Sequence, residues 1–119
     1  MARNLRDVWG PWLGDTEVTD EQLELLQRAS EMIDARYPDA DLEDSRREAL
    51  NAAFAVIIGD DSLEGYAERW ADARRAEREA MEHLTGAIIA ASSLLSEPAI
   101  ATFAGVTRGT VRTALGKGR

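Results

Sequence analysis

The sequence predicts an all-α fold: a helical body, a long connecting helix and a C-terminal helix-turn-helix. Three observations carry this. No segment sustains the apolar–polar alternation of a strand. Apolar residues instead recur at spacings of three and four through most of residues 19–115. The breaks in that pattern, at Tyr37-Pro38, Gly59 and Gly105, are the residues at which helices stop.

Residues 1–18 read as an irregular arm, with Trp9, Gly10, Pro11, Trp12 and Gly14 forming a turn. Two tryptophans are costly to leave in water, so the arm is expected to dock on the body or on a partner. Thr19, with Gln22 three residues on, forms a capping box that opens the first clear helix. Leu23, Leu26, Ser30, Ile33 and Tyr37 make its inward stripe. Tyr37-Pro38 ends it, because the residue before proline is pushed out of the α region. A second helix is expected from about Asp41 to Ile58, with Leu50, Phe54, Ile57 and Ile58 inward and Gly59 as its stop. Asp60 and Asp61 offer caps for a third. That third stripe runs from Leu63 through Trp70, Ala73, Glu77, Met81 and Ile88 to Leu95, with Thr85-Gly86 the expected place for a bend or break. The reading divides the chain into a Trp-containing arm (1–18), an acidic helical body (19–75) and a C-terminal module (76–119). Trp9, Trp12 and Trp70 are the candidate partner contacts.

Composition narrows the function classes. The chain has 119 residues, 45% of them apolar and 30% charged, an ordinary globular balance rather than a disordered one. It has no cysteine, which removes disulfides, thiolate metal sites and a cysteine nucleophile. Its one histidine, His83, lies near Glu79 and Glu82 but lacks the Glu-x-x-His spacing of a carboxylate-bridged metal site, because position 80 is alanine. The acidic run Asp39, Asp41, Glu43 and Asp44 suits a helix N-terminus and lacks the pattern of a calcium loop. Neither a glycine-rich phosphate loop nor a nucleophile elbow is present. The expectation is a non-enzyme without metal or cofactor. With no apolar run of signal or membrane-spanning length, a cytoplasmic location and no membrane partner are expected.

The formal charge of −8 is unevenly spread. Residues 1–70 hold 17 acidic and 7 basic side chains, whereas residues 97–119 hold one acid, Glu97, against Arg108, Arg112, Lys117 and Arg119. An acidic body with a basic end points to a local anion-binding surface.

That basic end has an ordered grammar. Ser96 or Glu97 can cap a short helix, and Pro98 suits its first turn. Ile100, Ala101 and Ala104 form its inner face, Gly105 sits at the sharp turn, and Val106 plugs the space between two helices. Thr107 can cap a second helix with Val111, Ala114 and Leu115 inward and Gly116 as its close. Ala101, Gly105, Val106 and Val111 at these spacings, with the run Gly105-Val106-Thr107-Arg108-Gly109-Thr110-Val111-Arg112, resemble the helix-turn-helix of bacterial and phage transcription regulators. The resemblance covers residues 97–115 only. It implies a second helix lying in the major groove of double-stranded DNA, with the first crossing the backbone. Thr107, Arg108, Gly109, Thr110, Arg112 and Thr113 would then face DNA, with Lys117 and Arg119 extending the positive surface. Gly109 departs from rich base readout, since it offers no side chain. The expected function is a small regulator binding DNA as a homodimer on two half-sites. The alternative is a protein-interaction module, such as an antitoxin or adaptor, whose acidic body binds a protein partner. A phage or plasmid accessory factor would share the DNA chemistry without a promoter role.

Overall fold

The structure, a computed structural model, describes residues 4–118. It is all-helical, with six α-helices and no strand among the described residues: α1 (Leu5–Leu13), α2 (Asp20–Arg36), α3 (Glu43–Ile57), α4 (Leu63–Ala91), α5 (Glu97–Ala104) and α6 (Arg108–Ala114). A 3-10 turn, Ala40–Leu42, precedes α3. The chain divides into two compact units, one ending at Ala67 and the other beginning at Glu68, and α4 supplies residues to both. No helix is long and apolar enough to cross a membrane.

In the first unit α2 and α3 pack as a hairpin. The Thr19 capping box forms as expected, the Thr19 hydroxyl accepting from the Gln22 amide at 3.0 Å and the Gln22 side chain accepting from the Thr19 amide at 2.8 Å. The helix ends at Arg36, immediately before Tyr37-Pro38. The core is built on Trp9, Leu23 and Leu26, with Leu50, Phe54 and Ile57 of α3 closing over it.

The N-terminal segment corrects the sequence reading. Residues 5–13 form a helix, not an irregular arm, although Gly10-Pro11 lies inside it. Asn4 caps it, its side chain accepting from the Arg6 amide. The proline removes one intrahelical bond, and burial of Trp9 against Leu23 and Leu26 outweighs that loss. The Trp9 indole N–H donates to Gln27 Oε1 at 2.9 Å, and Arg6 pins the helix to the Val18 carbonyl and to Asp20. Trp12 stands edge-on to Trp9 and to Phe54, with ring centroids 5.5 and 4.9 Å apart. Both tryptophans therefore pack on their own unit.

Two further expectations change at α4. Its cap is Ser62, whose hydroxyl accepts from the Gly65 amide, while the Asp61 carboxylate accepts from the Ser62 amide. The helix also runs unbroken through Gly86 to Ala91. The Thr85 hydroxyl folds back onto the Met81 carbonyl, and Ile88, one turn on, is buried, so packing outweighs the glycine's propensity cost of about 1 kcal/mol.

The second unit is organised by Ile88, Ile100 and Val111, one buried residue from each of α4, α5 and α6, with Val106 and Leu115 packed against them. Leu26→Ala and Ile88→Ala should each cost about 2–5 kcal/mol, as buried large-to-small changes do. Because the two cores share no residue, hydrogen exchange should show Leu26→Ala loosening α2 and α3 amides, and Ile88→Ala loosening those of α5 and α6.

Candidate nucleic-acid interface

The α5–α6 pair takes its geometry from three local devices. Ser96 caps α5, its hydroxyl accepting from the Ala99 amide. Gly105 closes the helix with φ 69°, a left-handed backbone that a residue with Cβ adopts only at a cost. Its turn satisfies the last carbonyls, since the Val106 amide donates to Ala101 and the Gly105 amide to Thr102. Thr107 then caps α6, accepting from the Thr110 amide at 3.1 Å. At the far end the same closure recurs at Gly116, where the Lys117 amide donates to the Arg112 carbonyl.

The closures bring four charged residues together. Arg108 and Arg112 lie one turn apart on α6, Lys117 follows the Gly116 turn, and all three reach Glu97 in the first turn of α5. Lys117 Nζ donates to Glu97 Oε2 at 2.5 Å, Arg112 Nη1 to Oε1 at 3.3 Å and Arg108 Nε to Oε1 at 3.4 Å. The carboxylate is the enclosed member, with 15% of its side chain exposed, whereas the Arg108 and Lys117 side chains are 64% and 50% exposed. The Lys117 ammonium holds the Glu97 carboxyl below its ordinary range. Partial burial opposes this, and the two guanidinium groups reinforce it.

Sequence reasoning does not find this constellation. Glu97 stands 11 residues before Arg108 and 20 before Lys117 in the chain, and only the turn at Gly105 folds it among them. The signal available is its position as the sole acid after Glu82.

The other predicted residues fall on the adjoining side of α6, which Arg112 shares. Thr107, Gly109, Thr110, Arg112 and Thr113 line an open groove of about 610 Å³ whose other wall is Met81 and Thr85 of α4. The Thr107 and Thr110 hydroxyls bond each other at 3.0 Å, so one of the two protons stays available to an outside acceptor. Gly109 is exposed, and a Cβ built there would meet only Thr107 Oγ1 at 3.7 Å, an ordinary contact. Arg119 lies outside the described residues. Among the expected partner contacts, Trp70 alone stands well clear of its surroundings, 62% exposed with the Arg74 guanidinium 4.8 Å above its ring.

Glu97→Gln should destabilise the second unit at neutral pH. The sign follows from the lowered pKa: the stabilisation is complete above the ordinary carboxylate range and is lost as pH falls through the lower folded-state value. Melting curves of wild type and Glu97→Gln should therefore differ at pH 7 and converge progressively as pH falls below the ordinary carboxylate range. No family model, curated protein or solved structure matches this chain.

Proposed function

We propose that this protein is a sequence-specific DNA-binding protein, a small transcription regulator that engages duplex DNA as a homodimer through α5 and α6, used as a helix-turn-helix. The observation that carries the reading is the cation cluster: Arg108, Arg112 and Lys117 close on a single carboxylate, so their geometry already suits one oxyanion. Glu97 offsets one of the three charges and holds the others in place. The exposed guanidinium faces would serve phosphates or a guanine edge. The free hydroxyl proton of the Thr107–Thr110 pair suits a phosphate oxygen, and Gly109 leaves room for close approach to the DNA.

Fluorescence anisotropy on duplex DNA over a salt series tests the reading. Wild type should weaken steeply as salt rises, and Arg108→Ala/Arg112→Ala should bind much more weakly, its log–log slope flattened by about 0.9 for each phosphate that the variant leaves unneutralised. Glu97→Gln should steepen the slope and raise non-specific affinity, because it frees one positive charge. Absence of binding by folded wild type near 50 mM salt, roughly the low end of such series, would sink the proposal.

Gly109→Ala offers a sharper contrast. It should stabilise the second unit by up to about 1 kcal/mol through helix propensity, yet weaken DNA binding by crowding the contact surface. Unchanged affinity would remove Gly109 from the interface.

A second reading, a module that binds a protein partner through the acidic unit, is favoured by one feature. Leu25, Met32, Val56, Leu63 and Tyr66 line an open apolar groove of about 600 Å³ in a unit with 16 acidic and 6 basic side chains. That reading leads if the folded protein ignores DNA.

A further inference from the structure

We propose that two copies of this chain pair through the middle of α4, antiparallel, about a two-fold axis level with Arg75. The pairing specifies the homodimer of the DNA-binding reading and rests on that reading only in supplying a dimer for it; its own support lies in the helix.

Every residue from 67 to 83 is exposed, a run of more than four helical turns with no buried position. Trp70 is 62% and Met81 50% exposed within it. A helical stretch of this length with no buried position draws little on core packing, and the Asp72–Arg75 ion pair on its surface adds little. The stretch nevertheless has an ordered stripe. Trp70, Ala73, Glu77 and Ala80 recur at spacings of three, four and three, the 3.5-residue repeat of paired helices, and the same face runs on to Leu84, which already packs on the Ile88 core.

Charge selects both the partner and its direction. Residues 69–75 hold three arginines and one aspartate, and residues 76–82 hold three glutamates and one arginine. A second copy running antiparallel lays the positive half of each helix against the negative half of the other, whereas parallel pairing sets like on like.

The register follows from the repeat. Trp70 faces Ala80 of the second copy. Ala73 faces Glu77 of the second copy, which places that carboxylate next to Arg74. Each contact occurs twice, as an isologous interface requires.

The absence of cysteine makes the test direct. Ala76 and Ala67 are exposed on α4, so neither Ala76→Cys nor Ala67→Cys disturbs a core. With a short bismaleimide, Ala76→Cys should cross-link into a covalent dimer. Ala67→Cys should not, because its two copies would lie about 24 Å apart along the helix axis. Cross-linking at both positions means parallel pairing, and a sedimenting dimer that cross-links at neither uses another surface; either result overturns the proposal. So does a wild-type monomer at tens of micromolar. Glu77→Arg and Arg74→Glu should each weaken the dimer about tenfold, and the double exchange should restore it. Failure of that rescue would overturn the register. None of these outcomes depends on DNA, so loss of the dimer and loss of DNA binding are read separately.

Discussion

Ile88 carries the second unit. Helices α5 and α6 have only 8 and 7 residues, too few to persist in water on their own. Each contributes one buried residue, Ile100 and Val111, and both of these cluster with Ile88 from α4. The contact does more than remove apolar surface from water. It sets the angle at which α6 leaves the Gly105 turn, and that angle decides where Arg108 and Arg112 emerge. With so small a core the unit has little stability to spare, and the polar links across α5 and α6 become a proportionately large part of what keeps the pair closed.

Glu97 is the principal polar link. A carboxylate with three cationic donors is favoured in its charged form, which is why its pKa lies low. The same contacts restrain three long side chains that would otherwise sample many rotamers. On the proposed DNA-binding reading, a phosphate arriving at this surface would meet cations already gathered, with less ordering entropy left to lose, but with one unit of their charge already offset. On that reading Glu97 trades raw affinity for geometry. Sequence charge alone points to an unopposed basic end; the folded arrangement is a clamp with a counter-ion at its centre.

What can be read from the sequence is local. The Thr19–Gln22 box, the Tyr37-Pro38 stop, the Gly59 and Gly105 closures and the Thr107 cap each depend on residues within one turn of one another, and each forms where expected. The departures arise where a distant partner decides. Gly10-Pro11 reads as a turn until Leu23 and Leu26 are there to bury Trp9. Gly86 reads as a break until Ile88 is packed against α5 and α6. Glu97 reads as a lone acid in the first turn of a helix until Lys117 is folded back to it. Periodicity reveals that α4 has an apolar stripe but not that its middle goes uncovered, because the same pattern serves a core and an interface alike.

The continuity of α4 then acquires a use. If two copies pair about Arg75, Ile88 lies 13 residues from the axis in each, and at 1.5 Å per residue the two Ile88 side chains are roughly 40 Å apart along the helix pair. Successive major-groove faces on one side of DNA recur about every 34 Å, so the two α6 helices would be held at a separation of the right order. A hinge at Gly86 would abolish that spacing, because it would fall between the proposed pairing surface and the residue that anchors α5 and α6. An unbroken helix through a glycine, with Thr85 bonded back to Met81 on one side and Ile88 buried on the other, is what such a spacer requires.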